Sequence, residues 1–298
     1  MDMSVVHGSV VVGVDGSQPS AAALDWAVRH AAGEGRRITV VHACGYPVAT
    51  DEFEDIVASE RGLRSVGRAI VREAVYDVRL ADNSVGVESL VTMGSPANVL
   101  VAASDTASVV VLGARGRGSV ASALLGSVSA TVTRDAHCPV VVVRSFAERS
   151  DKPVVVGVDG TPASTAAVDF AFRRASTGRV PLTLLHATWD LRTQASSVVD
   201  LRTYAEKINL SEDEERLVSE TVAGLCERYP DVTVTEVYRR GEPAKQLVEA
   251  SREASLVVVG SRGRRLLTSS LLGSVSRGVV ERAECPVAVV RPVGVVAR

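Results

Sequence analysis

Two segments of this chain, GARGRGSVASALLGS at 113–127 and GSRGRRLLTSSLLGS at 260–274, agree at nine of fifteen positions across a spacing of 147 residues. Such a long internal repeat means that one structural module is written twice, and each copy must build its own core. The copies open alike, with SVVVGVDGSQPS at 9–20 and PVVVGVDGTPAS at 153–164. They also close alike, with CPVVVVR at 138–144 and CPVAVVR at 285–291. The polar stretch SFAERSDK at 145–152 separates them, so the expected domains are 1–146 and 151–298.

Within each copy, short apolar runs alternate with helical patterns. After the first run, Ala23, Leu24, Ala27, Val28 and Ala31 recur at helical spacing, echoed by Ala167, Val168, Ala171 and Ala175. A second run follows, RITVVHA at 37–43 and VPLTLLHA at 180–187. Leu63, Val66, Ile70, Ala74 and Val78 form one helical stripe, and residues 212–228 are expected to do the same behind Ser211 as N-cap. Further on, Gly94 and Gly241 end a strand, and Pro96 and Pro243 begin a helix, where a missing N–H costs nothing. The strands are nearly continuous valine, the pattern of parallel sheets covered on both faces. Hydrophobic residues make up 46% of the 298 but aromatics only 4%, so the core is valine, alanine and leucine. Two α/β modules are expected.

The net charge of −2 gives no global positive field, so neither nucleic acid nor an anionic membrane is an expected partner. No apolar run approaches the roughly 18 residues of a membrane span. The opening MDMSVVHGSVVVG has no basic stretch before a long apolar run, so no signal peptide and a cytoplasmic location are expected. Cys44, Cys138, Cys226 and Cys285 show no CxxC spacing, and the two before proline read as small buried apolar residues.

In open parallel sheets, ligands bind beyond the carboxyl ends of the strands where the strand order reverses. If the first and fourth strands are neighbours, the loop starting at Gly113 and the turn at Asp15 face one crevice. Gly113 and Gly116 let backbone N–H groups approach an anion, Gly126 and Ser127 start a further helix, and Arg115 and Arg117 add positive charge. Asp15 has the wrong sign for phosphate and suits a ribose hydroxyl or a bridging magnesium ion. As a turn residue it is expected to be replaceable without loss of the fold. A P-loop is excluded because neither copy carries GxxxxGK[ST]. Gly116 to Ala121 fits GxGxxA, but Arg265 spoils the second copy. For a single loop of this kind, glycines that only make tight turns are an equal reading.

At these residues the chain resembles the tandem members of the universal stress protein family. The family's nucleotide signature, G-x2-G-x9-G-[ST], falls on Gly113, Gly116, Gly126 and Ser127, and again on Gly260, Gly263, Gly273 and Ser274. The resemblance spans essentially the whole chain. It implies a doubly wound parallel five-stranded sheet of order 3-2-1-4-5 in each domain, Rossmann-like and of the adenine-nucleotide α-hydrolase type, with one ATP site per domain. By that resemblance Gly13 and Asp15 line the adenosine end, and the backbone of Ala43 meets the adenine edge. Gly113, Ala114, Arg115, Gly116, Arg117, Gly118 and Ser119, with Gly126, Ser127 and Val128, hold the phosphates. The second site is implied at Gly157, Asp159, Ala187, Gly260, Ser261, Arg262, Gly263, Arg264, Arg265, Leu266, Gly273, Ser274 and Val275. Arg265 departs from the small residue expected there, which predicts a weaker second site.

No catalytic constellation emerges. His42 and His186 stand at equivalent strand ends and read as hydrogen-bonded structural histidines. His7, His30 and His137 have no partners at metal spacing. Ser127 and Ser274 lack a GxSxG elbow, so phosphate contact is the favoured role. Two functions stay open: an ATP-binding regulatory protein of the stress response, with an unidentified protein partner, or a slow ATPase or nucleotidyl-transferring enzyme of the same fold. The two closing strands are apolar edges that invite pairing; the family resemblance implies that they pair with each other across a pseudo-two-fold axis within the chain, with a homodimer of chains as a further expectation.

Overall fold

The computed structural model describes residues 3–45, 60–116, 125–144, 151–188, 216, 218–263 and 272–292. The chain folds as two compact units, Met1–Phe146 and Ala147–Arg298.

The first unit runs β1 (Val10–Gly13), α1 (Gln18–Glu34), β2 (Ile38–Cys44), α2 (Glu60–Ala81), β3 (Val87–Met93), α3 (Pro96–Ala103), β4 (Val109–Gly113), α4 (Ser127–Asp135) and β5 (Val140–Val143). The five strands are parallel in the order β3-β2-β1-β4-β5. The order reverses between β1 and β4, which leaves a crevice beyond their carboxyl ends. Helices α1 and α2 pack against one another, as do α3 and α4, so the two pairs cover opposite faces. Val10, Val11 and Val12 are fully buried, and β4 and β5 are buried along their whole length.

The second unit repeats this with β6 (Val154–Gly157), α5 (Pro162–Gly178), β7 (Leu182–Thr188), α6 (Leu225–Arg228), β8 (Val234–Arg240), α7 (Pro243–Ala250), β9 (Leu256–Gly260), α8 (Ser274–Arg282) and β10 (Val287–Val290). Its parallel order is β8-β7-β6-β9-β10, the same 3-2-1-4-5 arrangement.

The helix starts follow from their caps. Ser17 accepts from the Ser20 N–H and Thr161 from that of Ser164, each just ahead of a proline in the first turn. Helix α1 ends at Gly35 with φ +61°, and Arg179 takes the same left-handed conformation after α5 with φ +52°. The helix expected over 212–228 is broken at Gly224, whose φ of +80° starts α6 afresh, and 212–215 lie outside the described residues.

Candidate functional site

The crevice of the first unit is a cavity of about 490 Å³ at the carboxyl ends of β1, β2 and β4. The turn after β1 places Asp15 at its floor. Asp15 Oδ1 accepts from the Ser17 N–H at 3.0 Å and from the Ser17 hydroxyl at 2.5 Å, which shapes the lead into α1. Asp159 Oδ1 accepts from Thr161 in the same way, at 3.0 Å from the N–H and 2.7 Å from the hydroxyl. One carboxylate oxygen is thus built into the fold, an unexpected role for a residue read as a ligand contact. The other faces the glycine loop. A Cβ on Gly116 would lie 2.5 Å from Asp15 Oδ2, and one on Gly263 would lie 2.9 Å from Asp159 Oδ2.

The signature glycines divide into two kinds. Gly113 lies against the first turn of α1, where a Cβ would meet the Pro19 carbonyl carbon at 2.6 Å. Gly260 meets Ala163 likewise at 2.8 Å. Gly13 also has a packing role, since its Cβ would strike Leu112 Cδ2 at 2.6 Å, and Gly157 would approach Leu247 Cδ1 at 3.1 Å. These four let strand and cover pack closely. Gly13 and Gly113 also border the cavity, together with Gly116 and Gly126, whose neighbours are the Asp15 carboxylate and the loop's own backbone.

Gly126 closes the loop, its N–H donating to the Ala114 carbonyl at 2.8 Å, as Gly273 does to Ser261 at 2.9 Å. That N–H is therefore engaged, and the next residues, Ser127, Val128 and Ser129, open α4 and all line the cavity. The first N–H groups of a helix have no acceptor inside it and carry its positive pole. The Ser129 hydroxyl donates to the Gly113 carbonyl at 2.7 Å, fixing α4 to the end of β4, and Ser276 does the same to Gly260 at 2.7 Å. Arg115 lines the cavity while Ala114 is buried beneath it.

At the far end, Ala43 is a half-buried strand residue lining the cavity between His42 and Cys44. The His42 Nδ1–H donates to the Val14 carbonyl at 2.7 Å, and His186 donates to Val158 at 2.6 Å. A carbonyl only accepts, so in the neutral ring Nε2 holds the lone pair. The Cys44 thiol donates to the Leu63 carbonyl at 3.4 Å. Burial pushes its pKa up, and the nearby Arg64 charge offsets that only partly. Gly67 lets α2 lie this close, since a Cβ there would be 2.8 Å from His42 Cδ2 and 2.9 Å from Cys44 Sγ.

Sequence reasoning missed the apolar wall. Leu63, Val66 and Ile70 read only as part of one helical stripe, yet Val66 is 52% exposed and all three line the cavity, while Ala74 and Val78 of the same stripe are buried. The stripe continues past the point where the sheet ends, and that continuation was the available signal.

In the second unit, Gly157, Asp159, Ala187, Gly260, Arg262, Gly263, Gly273, Ser274 and Val275 occupy the corresponding places at the ends of β6, β7 and β9 and the start of α8. Ser261 is buried, and its hydroxyl has no partner among the described residues. Arg117, Gly118, Ser119, Arg264, Arg265 and Leu266 lie outside the described residues.

The model of the universal stress protein family matches residues 8–144 and 152–291, one match in each unit. A universal stress protein of Mycobacterium tuberculosis is 40% identical over 297 residues, covering 96% of this chain and 97% of the relative. One from Mycolicibacterium smegmatis is 37% identical over 302 residues, covering 98% of this chain and all of the relative. Among solved structures, a universal stress protein from Archaeoglobus fulgidus shares the fold with a TM-score of 0.66 at 18% identity, over 95% of this chain and 96% of that one.

Proposed function

The chain belongs to the universal stress protein family, and we propose that each unit binds ATP and that the protein is a nucleotide-dependent regulatory factor of the stress response. The observation that carries this reading is the first cavity. Its volume of about 490 Å³ falls in the range of small-molecule sites, and its lining changes character from end to end. Leu63, Val66 and Ile70 offer an apolar wall to a base beside the Ala43 backbone. Asp15 offers a carboxylate to ribose hydroxyls or to a companion magnesium ion. Gly116, Arg115 and the start of α4 offer backbone N–H groups and positive charge to phosphates. Gly116 supports the same fit, because any side chain there would meet Asp15 and close the cradle.

Regulation rather than turnover is favoured by how the cavity's reactive groups are engaged. His42 ties the end of β2 to Val14, and burial disfavours the Cys44 thiolate. Ser127 is the first residue of α4, where it suits phosphate contact. The output in this reading is a conformation recognised by a partner protein. Equilibrium dialysis with ATP and magnesium tests it. The expected result is up to two nucleotides per chain, with nearly all ATP intact after many minutes. Multiple turnovers per second, lost on changing Asp15 and Asp159, would make the enzyme reading the correct one.

A further inference from the structure

Helix α2 carries a wall of the cavity on one side and a row of cations on another. Val71, Ala74 and Val78 face the core, and Leu63, Val66 and Ile70 line the cavity. Arg64, Arg68, Arg72, Tyr76 and Leu80 recur at every fourth residue, so they form one ridge along the helix, about 24 Å long. Arg61 and Arg79 extend its cationic side at the two ends. Arg61, Arg68, Arg72 and Arg79 are exposed, as are Tyr76 at 65% and Leu80 at 73%. Arg64 is paired with Glu60 at 2.8 Å, whereas Arg61, Arg68, Arg72 and Arg79 make no hydrogen bond or ion pair among the described residues.

Like charges four residues apart on a helix repel, so stacking Arg64, Arg68 and Arg72 works against the stability of α2 itself. The ridge therefore calls for an external anion. Its far end is an exposed tyrosine and leucine, and arginine beside tyrosine is the composition of protein interfaces. The chain's net charge of −2 sets the rest of its surface against an extended polyanion, which favours a short acidic patch on a protein. The sequence contains such a patch. Helix α6 ends at Arg228 and α2 at Ala81, 147 residues earlier, so 207–228 is the counterpart of α2 in the repeat. Over 60–81 there are five arginines and three acids; over 207–228 there are six acids and three basic residues, with Glu212, Asp213, Glu214 and Glu215 consecutive. Residues 212–215 lie outside the described residues, but four successive carboxylates stay at a surface unless they are paired. The ridge is exposed in the single chain, which leaves it open to a second copy.

We propose that the arginine ridge of α2 docks the acidic run 212–215 of a second copy of this chain. The contact is reciprocal, ridge to run and run to ridge, as in a two-fold pair. It is independent of whether either unit binds a nucleotide.

Sedimentation of the full chain over a concentration series, at low and high salt, tests it. The unaltered chain should self-associate at low salt and dissociate as salt shortens the Debye length from about 10 Å at 0.1 M to about 3 Å at 1 M. One variant carries Arg68→Glu with Arg72→Glu, and a second carries Glu214→Arg with Glu215→Arg. Each alone should associate at least about tenfold more weakly, because like charges then face one another. The first should keep the melting temperature of the unaltered chain, since both its positions are exposed. An equimolar mixture of the two should associate again, because each altered surface meets its opposite. An unaltered chain that stays monomeric, association that neither variant weakens, or a mixture no better associated than its components would overturn the proposal. A monomeric chain that binds inorganic polyphosphate through Arg68 and Arg72 would also overturn it and assign the ridge to a phosphate polymer.

Discussion

Gly116 passes so close over Asp15 that a Cβ on the glycine would lie 2.5 Å from the carboxylate oxygen Oδ2, and Gly263 repeats the relation with Asp159 at 2.9 Å. The pair recurs in both units because the loop after the fourth strand of each sheet must cross the turn after its first. In Gly116→Ala, either the loop lifts or the carboxylate turns away. Gly116 is exposed, so the fold should tolerate the change. Overpacking of this kind costs about 1–3 kcal/mol, and here it should appear mainly as weaker nucleotide binding, read by calorimetry. Unchanged affinity at both sites would remove this crossing from the site.

Asp15 has two duties that two substitutions separate. Its Oδ1 accepts two bonds from Ser17, so Asp15→Ala should lower stability by about 1–2 kcal/mol, in addition to any loss of binding. The variant should still fold, as expected for a turn residue, but at that reduced stability. Asp15→Asn keeps an oxygen for Ser17 and removes the charge. It should melt close to the unaltered protein yet bind nucleotide more weakly by about 1.5–3 kcal/mol, the worth of a charged hydrogen bond. Denaturant midpoints and binding isotherms on both variants check the separation.

Gly113 should behave in the opposite way. A Cβ there would lie 2.6 Å from the Pro19 carbonyl carbon and 2.7 Å from its oxygen, and backbone cannot rotate aside as a side chain can. Gly113→Ala should destabilise the first unit by about 1–3 kcal/mol. Gly260→Ala should do the same to the second through Ala163. Urea titration reads both, and an alanine at either position with native stability would contradict the packing role.

The fold was legible because its evidence is repetition. Two valine-rich copies with Gly94 and Pro96 matched by Gly241 and Pro243 leave little freedom in where strands end and helices begin. The site was less legible, since spacing does not show which neighbour a glycine touches. Gly113 and Gly126 belong to one sequence signature, yet the first packs against a helix and the second closes a loop. Val66 and Val78 likewise belong to one helical stripe, and only the end of the sheet decides that one lines a cavity and the other is buried. The contrast between Gly118 and Arg265 lies outside the described residues.

Cys44 supplies the last prediction, through its titration. None of the four cysteines is in a disulfide; Cys44 is buried and Cys226 exposed. The thiolate is the reactive form, and burial raises the Cys44 pKa above its ordinary 9.0 against a weaker pull from Arg64. Alkylation of the native protein at neutral pH should therefore reach Cys226 well before Cys44. ATP should slow Cys44 further, because that side chain lines the cavity. The same shift sets the direction of the pH dependence. A thiol whose folded pKa is raised contributes stability that is fully present below about pH 9 and is lost as pH rises through the folded value, because the unfolded chain gains the thiolate first. Denaturant midpoints should fall as pH rises above about 9 more steeply in the unaltered protein than in Cys44→Ala. Parallel slopes in the two proteins would show that Cys44 does not titrate differently on unfolding, and rapid native labelling of Cys44 would show that its thiol is not shielded by α2.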